Sequence, residues 1–411
     1  MAHQSPLREH HLKNDATLMP YGPPALPVEL VESFGEVDFE YAAIRKACVL
    51  IDQPNRGTLV FTGDDRLAFL NSMLTQELKG LEPFQTRRGL WLNRKGRIVA
   101  DLRLTELGDR IVADADIHAI DATVDSLNSY IIADDVEIEN TTDTQHRIAL
   151  HGPTAGPLLE AVCEQREDGT DGPLVSVLVA QGNTSAACNA SIGGVACLLE
   201  RNDIAGELGV DITAPTSGVA SVYTRLLEAG SAAGSHAGEH TPTALAAQVK
   251  LRQSGWLALN TARIEAGTPM LFVDFSTESL PAETGPAFLN ARVSFTKGCY
   301  LGQEVVARMH SLGKPKQVLV GLKPTVDPPR DADGFPLQPL GGAAVSEPHD
   351  REAQVGLVTS STISPMLGGT PVALAIVKTA HATEGAELNV VCEGTTVAFR
   401  VQSDLRFYTP A

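Results

Sequence analysis

The chain has 411 residues, with 32 Lys and Arg against 50 Asp and Glu, a net charge of −18, and 43% hydrophobic residues. That apolar content supplies buried cores and excludes global disorder, and the length suits two or three domains. The acidity argues against a general coat for DNA or RNA, which needs clustered cations. No apolar run reaches the ~20 residues that a membrane-spanning helix requires.

Residues 1–30 hold five prolines, three histidines and mixed charge, with no basic start before an apolar stretch. Residues 1–38 therefore read as an N-terminal tail or a strap over the surface, and the cytoplasm is the expected compartment. From Phe39 the pattern turns regular. Phe39–Leu50 reads as a helix, Gly57–Phe61 as a strand, and Asp64 or Asp65 caps a helix through Leu74. Gly89–Leu92 and Arg97–Thr105 read as strands around the turn Asn93-Arg94-Lys95-Gly96. In the second of these, Ile98, Ala100, Leu102 and Leu104 share one face, and Val99, Asp101 and Arg103 the other. Gly108-Asp109 marks the next hairpin. A helix near 117–132 and strands near 135–139 and 146–151 follow.

The middle of the chain repeats this mixture. It reads as a helix near 154–165, strands near 174–180, 194–200 and 208–213, and a helix over Thr216–Glu228. Helical patterns resume at 243–253 and 257–266. Glu164–Pro173 and Ala229–Pro242 read as surface insertions. After His310 the character changes. Six strand candidates follow: Gln317–Leu322, Ala343–Ser346, Val355–Ser361, Val372–Val377, Glu387–Val391 and Thr396–Gln402. Their Gly and Pro turns and scarce helix point to a small antiparallel barrel. The expected layout is an α+β body of two interleaved lobes over 39–312 and a β-barrel domain over 313–411.

Two short windows break the acidic trend. Residues 84–100 contain Arg87, Arg88, Arg94, Lys95 and Arg97 and no acid; residues 292–317 contain Arg292, Lys297, Arg308, Lys314 and Lys316 with only Glu304. Such windows focus an anionic ligand. The second holds Lys297-Gly298-Cys299-Tyr300-Leu301-Gly302-Gln303-Glu304. A cysteine among cations is a candidate thiolate nucleophile, and its glycines let backbone approach a partner. The other five cysteines sit in apolar or loop settings with no C-x-x-C pair, which excludes a zinc ribbon. The histidines show no metal spacing, so no metal is expected. Glu207 and Asp211 flank a glycine turn, and a carboxylate there suits the amino-pyrimidine edge of a pterin or guanine. Arg263-Ile264-Glu265-Ala266-Gly267 reads as a helix end with Arg263 on the pocket side.

Taken in order, these strings resemble the glycine-cleavage T-protein (aminomethyltransferase) superfamily. Gly63 with Phe69-Leu70 and Thr75 resembles its G-x-D-x-x-x-F-L-x-x-x-T segment. Leu92-Asn93 with Gly96 and Asp101 resembles L-N-x-x-G-x-x-x-x-D. Arg201 with Gly206-Glu207 and Gly209, Arg263–Gly267, Pro281-Ala282-Glu283 and Val355–Pro365 continue the series. The string K-G-C-Y-x-G-Q-E resembles the YgfZ-type branch, folate-binding proteins that support iron–sulfur enzymes, including a tRNA methylthiolation enzyme. Lys297, Gly298, Cys299, Tyr300, Gly302, Gln303 and Glu304 fit its fixed positions.

The resemblance implies a three-lobed α+β body for tetrahydrofolate, ending in a β-barrel. It implies Asp101 beside the folate N5/N10 region and Glu207, then Asp211, at the pterin edge. Asn93 and Arg263 are implied at the same site, and Arg87, Arg88, Arg94 and Lys95 at the glutamate tail. Cys299 is implied as the redox or sulfur-facing group. Asp101 also has a structural alternative, an ion pair with Arg103. The implied function is that of a tetrahydrofolate-binding accessory protein for iron–sulfur client enzymes. The alternative is an aminomethyltransferase-like one-carbon transferase. Three departures count against aminomethyl transfer: Ile204 replaces a tyrosine, Asp203 replaces a glycine, and Asp52-Gln53-Pro54-Asn55 stands where D-V-S-H is usual.

Overall fold

Alternating apolar residues in short segments give pleated strands with one face turned to a core, and the computed structural model arranges them in four sheets. It describes residues 3–165, 170–180, 186–232, 251–311 and 313–409. The chain packs as two units. Unit 1 comprises Met1–Leu70, Leu78–Arg88 and Leu102–Leu259, and unit 2 comprises Asn71–Glu77, Gly89–Asp101 and Asn260–Ala411. Packing thus joins the barrel to the segment from residue 260 onward and to two short earlier segments.

In unit 1, a seven-stranded sheet runs Cys163–Glu164, Ala187–Ile192, Val195–Arg201, Gly209–Pro215, Gln145–His151, Cys48–Asp52, Leu251–Gln253. Its last pair is parallel, and the others are antiparallel. The helices Ala155–Val162 and Val219–Ala232 carry apolar faces, and Leu158, Leu159, Val222, Tyr223 and Leu226 join the same core as Leu150, Leu199 and Ile212. A five-stranded sheet runs Thr86–Leu92, Ile98–Glu106, Ile111–Asp116, Arg56–Thr62, Glu137–Asn140. Its first two strands begin in one unit and end in the other.

Several expectations are corrected here. The segment read as a tail or a strap is structured, which removes the tail reading: Arg8–Lys13 is helical, Thr17–Tyr21 and Val28–Ser33 pair as a hairpin, and Leu7, Tyr21, Val28 and Leu30 are buried. The helix expected over Phe39–Leu50 spans Val37–Lys46, and Cys48–Asp52 is a buried strand beside the edge strand of the seven-stranded sheet. The run near 174–180 forms a short helix, Val175–Leu178, because an apolar run this short has no decisive period. Strand Ala187–Ile192 was not anticipated. Of the helical pattern at 243–253, residues 243–250 lie outside the described residues, and Leu251–Gln253 is a strand. Residues 166–169 and 233–242 of the two expected insertions also lie outside them.

In unit 2 all six expected strands form. They close into a barrel in the order Gln317–Pro324, Thr370–Lys378, Gln354–Ser364, Ala344–Ser346, Glu387–Cys392, Thr395–Gln402. Leu322, Val345, Val358, Val390 and Phe399 fill it, and closure leaves no free edge. The fold is mixed α and β with a C-terminal antiparallel β-barrel, as the sequence suggests. No helix among the described residues is long and apolar enough to cross a membrane.

Candidate functional site

Asp101 and the cysteine string both lie in unit 2. Strand Ile98–Glu106 carries Asp101 on the face away from Ala100 and Leu102. Helix Pro286–Arg292 ends in Arg292, whose Nε donates to Asp101 Oδ1 at 2.8 Å. The Arg292 guanidinium lies 3.5 Å from the Phe288 ring centroid, which fixes its plane. Thr75 locks this corner: its hydroxyl donates to the Arg292 carbonyl at 2.7 Å and accepts from Leu90 N–H at 2.8 Å. The partner of Asp101 is therefore Arg292 and not Arg103. Both side chains are mostly buried, and Asp101 Oδ2 makes no hydrogen bond among the described residues.

The cysteine string packs beside it. Asn93 Oδ1 accepts from Lys95 N–H and Arg97 N–H, at 2.9 and 3.1 Å, and so builds the turn. Asn93 is thus a turn former. The turn's Asn93 carbonyl sits where a Cβ on Gly302 would come within 3.0 Å, and Gly302 has φ +81°, so position 302 demands glycine on both counts. Gln303 Oε1 accepts from Tyr300 N–H at 3.1 Å and starts helix Gln303–Ser311. Burial pushes the Tyr300 phenol up to about 12. Glu304 and Gly298 are exposed, as is Arg94 on the turn.

Lys297 does not serve the thiol. Its Nζ donates to the carbonyls of Asn71, Leu74 and Gln76, at 2.5, 2.7 and 3.0 Å, which uses all three N–H groups. Burial lowers its ammonium to about 8, against an opposing pull from Glu77. Cys299 itself is the exposed cysteine of the six; Cys163 is half-buried and the other four are buried. Burial pushes those five thiols up, and Cys48, Cys188, Cys197 and Cys392 reach about 12. They remain unreactive thiols.

Arg263 does not face a pocket. It is fully buried, with Nη1 donating to Asp274 Oδ2 at 2.7 Å and to the Thr268 carbonyl, and Nε donating to Asn260. Asp274 also accepts from Thr359 and Ser360 of the barrel, so the R-I-E-A-G string ties a helix end to barrel strands.

Unit 1 holds the remaining candidates. Glu207 Oε1 lies 3.5 Å from Arg45 Nη1, and Oε2 has no partner among the described residues. Burial raises the Glu207 carboxyl above its usual range, with Arg45 opposing. Asp211 is buried in an ion network: Arg103 Nη2 donates to its Oδ2 at 2.6 Å, and Asn202 Nδ2 donates to the same atom at 2.8 Å. Asp211 is therefore a buried member of an ion network. Asn202 Oδ1 in turn accepts from Arg88 at 2.7 Å, so Arg88 is held in place, whereas Arg87 is exposed beside its neighbouring carbonyl. A cleft of about 760 Å³ in unit 1, lined by residues such as Thr58, Val60, Gln145, Asn189 and Leu198, contains none of these candidates.

Sequence reasoning missed Arg292, Arg45 and most of the buried network. Arg103 and Arg147 meet Asp114, Glu200 and Asp211, and Arg56 pairs with Asp114. The available signal was a lone charge inside an apolar strand, such as Asp114 in Ile111–Asp116 or Arg147 before Ile148.

A family model of the GCVT N-terminal domain matches residues 7–297, and one of the glycine cleavage T-protein C-terminal barrel domain matches 318–409. The chain belongs to the glycine-cleavage T-protein family. Proteins named aminomethyltransferase resemble it end to end. That of Desulfitobacterium hafniense is 25% identical over 98% of both chains, and that of Corynebacterium jeikeium 27% over 90% of both. The crystal structure of glycine cleavage system aminomethyltransferase T from Bartonella henselae has the same fold, with a TM-score of 0.77, 22% identity and 99% of each chain covered. Among the candidates, Asp101 in unit 2 and Glu207 in unit 1 each have one carboxylate oxygen without a partner among the described residues.

Proposed function

We propose that this T-protein family member binds a tetrahydrofolate and takes part in one-carbon transfer of the aminomethyltransferase kind. The observation that carries this reading is the Asp101 carboxylate. Arg292 holds it by one oxygen, it is shielded from water, and its other oxygen is left open to accept. The relatives that bear the aminomethyltransferase name, similar along nearly the whole chain, support it. Bound tetrahydrofolate supplies the ring nitrogens that carry one-carbon units. The chain's own contribution is positional and electrostatic. Asp101 presents a carboxylate acceptor at that end, Arg292 keeps it aimed, and Glu207 is the acceptor that the family resemblance implies for the amino-pyrimidine edge. Arg87, Arg88, Arg94 and Lys95 meet the acidic tail.

A second reading rests on Cys299. It is exposed, and the string around it is rigidly mounted on Lys297, Gly302 and Gln303. An accessible thiol beside a folate-type site supports the accessory reading, in which the protein maintains iron–sulfur client enzymes, tRNA-modifying ones among them, in the cytoplasm. One pair of assays separates the two. Tetrahydrofolate titration, read by tryptophan fluorescence, should weaken about tenfold in Asp101→Asn and in Glu207→Ala. Unchanged affinity in both would overturn folate binding at these residues. Cys299→Ala should leave an aminomethyl-transfer assay intact, whereas loss of client iron–sulfur enzyme activity in cells carrying only that variant would favour the accessory reading.

A further inference from the structure

The space between the two sheets of unit 1 is filled in one part and open beside it. Strand alternation puts Val112 and Asp114 on one face of Ile111–Asp116. It likewise sets Leu198 with Glu200, Thr213 with Asp211, and Gln145 with Arg147 on one face of the seven-stranded sheet. Asp114, Glu200, Asp211 and Arg147 belong to the ion network, which crosses between the sheets. Arg147 Nη1 lies 2.6 Å from Asp114 Oδ1, and Arg103 Nη2 lies 2.6 Å from Asp211 Oδ2. Their face-mates Val112, Leu198, Thr213 and Gln145 line the cleft of about 760 Å³. The cleft is thus the unfilled continuation of that buried layer, and small side chains such as Thr58, Ser191 and Ala196 leave it open.

The polar groups of the cleft are unspent. Thr213 is 5% exposed, and its Oγ1 is buried without a partner. The Gln145 and Asn189 carboxamides and the Thr58 and Ser191 hydroxyls make no hydrogen bond among the described residues. The backbone of Asn189 is nevertheless fixed. Its N–H donates to the Asp171 carbonyl at 2.8 Å, and its carbonyl accepts from Gln165 Nε2 at 2.9 Å. Val112 and Leu198 join one small apolar cluster, and Val60 and Pro215 add aliphatic wall. The charged groups of the lining are Arg110, which pairs with Asp109 at 2.9 Å, and the acids Glu164 and Asp171.

We propose that this cleft binds a neutral adenine ring, as the free base or as a nucleoside, at a site separate from the folate candidates. A carboxamide carries a donor and an acceptor side by side, which match the amine and ring nitrogen on one edge of adenine. Gln145 and Asn189 supply two such groups with nothing else to bond. The hydroxyls of Thr58, Ser191 and Thr213 both donate and accept, and they suit the remaining ring nitrogens or a ribose. The aliphatic wall covers the ring faces. Arg110 is already paired, and Glu164 and Asp171 repel a phosphate, so the lining selects the uncharged forms over a nucleotide.

Calorimetric titration of the full-length protein with adenine, adenosine and AMP tests this. Adenine or adenosine should bind saturably with a Kd below about 1 mM, and AMP about tenfold more weakly at low salt. The tighter of the two uncharged probes tells whether a ribose belongs in the site. Asn189→Leu and Gln145→Leu should each weaken binding about tenfold, and Ser191→Trp, which fills the cleft, should abolish it. Should Ser191→Trp melt early, the two leucine variants, at half-buried positions, carry the test. No saturable binding of either uncharged probe overturns the proposal, as does binding that the leucine variants leave unchanged, or AMP binding tighter than adenosine. Displacement of adenosine by tetrahydrofolate overturns it too, because the cleft would then belong to the folate site. Adenosine binding in a protein that takes no tetrahydrofolate upholds this proposal and sinks only the folate reading.

Discussion

At the scale of single residues, the site depends on which partner each charge finds. Asp101 was legible in the sequence from its place in the L-N-x-x-G-x-x-x-x-D string. Its partner was not, because Arg292 lies 191 positions away and only folding brings them to 2.8 Å. Lys297 shows the opposite failure. Adjacency in sequence suggested that it activates Cys299, but its ammonium is turned onto three carbonyls of Asn71–Gln76. Lys297→Met should therefore destabilise unit 2 by about 2 kcal/mol and raise hydrogen exchange in residues 71–76, since three buried carbonyls lose a charged donor. Cys299→Ala should leave the melting temperature within about 2 °C, because an exposed thiol contributes little packing. Thermal melts of the two variants check both outcomes.

At the scale of elements, strong periods were legible and short apolar runs were not. The strand carrying Asp101 alternates over its first residues, and the barrel strands are punctuated by Gly and Pro, so both appear in the sequence reading. Val175–Leu178 lacks a deciding period, and the Phe39–Leu50 pattern concealed a helix end followed by a buried strand. The R-I-E-A-G string is the helix end that the sequence reading expected. Gly267 has φ +70°, and a Cβ there would sit 2.5 Å from Arg406 N. Glu265 accepts from Ser364 through its side chain and from Phe407 and Tyr408 N–H through its carbonyl. Gly267→Ala should thus cost about 2–3 kcal/mol, from left-handed backbone strain and a collision with the C-terminal strand exit. Denaturant unfolding followed by a unit 2 probe measures it.

At the scale of the whole molecule, an acidic chain buries charge in balance. Register sets Arg103 opposite Asp114, and Glu200 opposite Asp211. Two carboxylates facing each other repel, and Arg103 and Arg147 offset that repulsion. Burial pushes the Asp114 carboxyl up, yet Arg147, Arg56 and Arg103 outweigh it and hold Asp114 below the usual carboxylate range; Arg103 and Arg147 do the same for Asp211. Carboxylates depressed on folding stabilise the fold fully above their ordinary pKa of about 3.9 and lose that contribution as pH falls through the folded value. Acid unfolding of unit 1 should therefore steepen below about pH 4. Asp114→Asn should flatten that limb and cost about 3–5 kcal/mol at neutral pH, because it leaves buried guanidinium charge unpaired. A pH series of thermal melts on both proteins reads the difference.

The sequence by itself determined the mixed α and β class, the six-stranded barrel, the ordered family strings and the glycines that let the Asn93 turn and the cysteine string meet. These follow from local backbone chemistry and from periodicity, which act over a few residues. The tertiary structure alone decided which charges pair. It gave Arg292 to Asp101, sent Lys297 to carbonyls, placed Arg263 and Asp211 in the core, and gathered His11, His146 and Ser5 on Asp52. Desolvation makes each buried charge seek a partner, and that partner can come from any part of the chain.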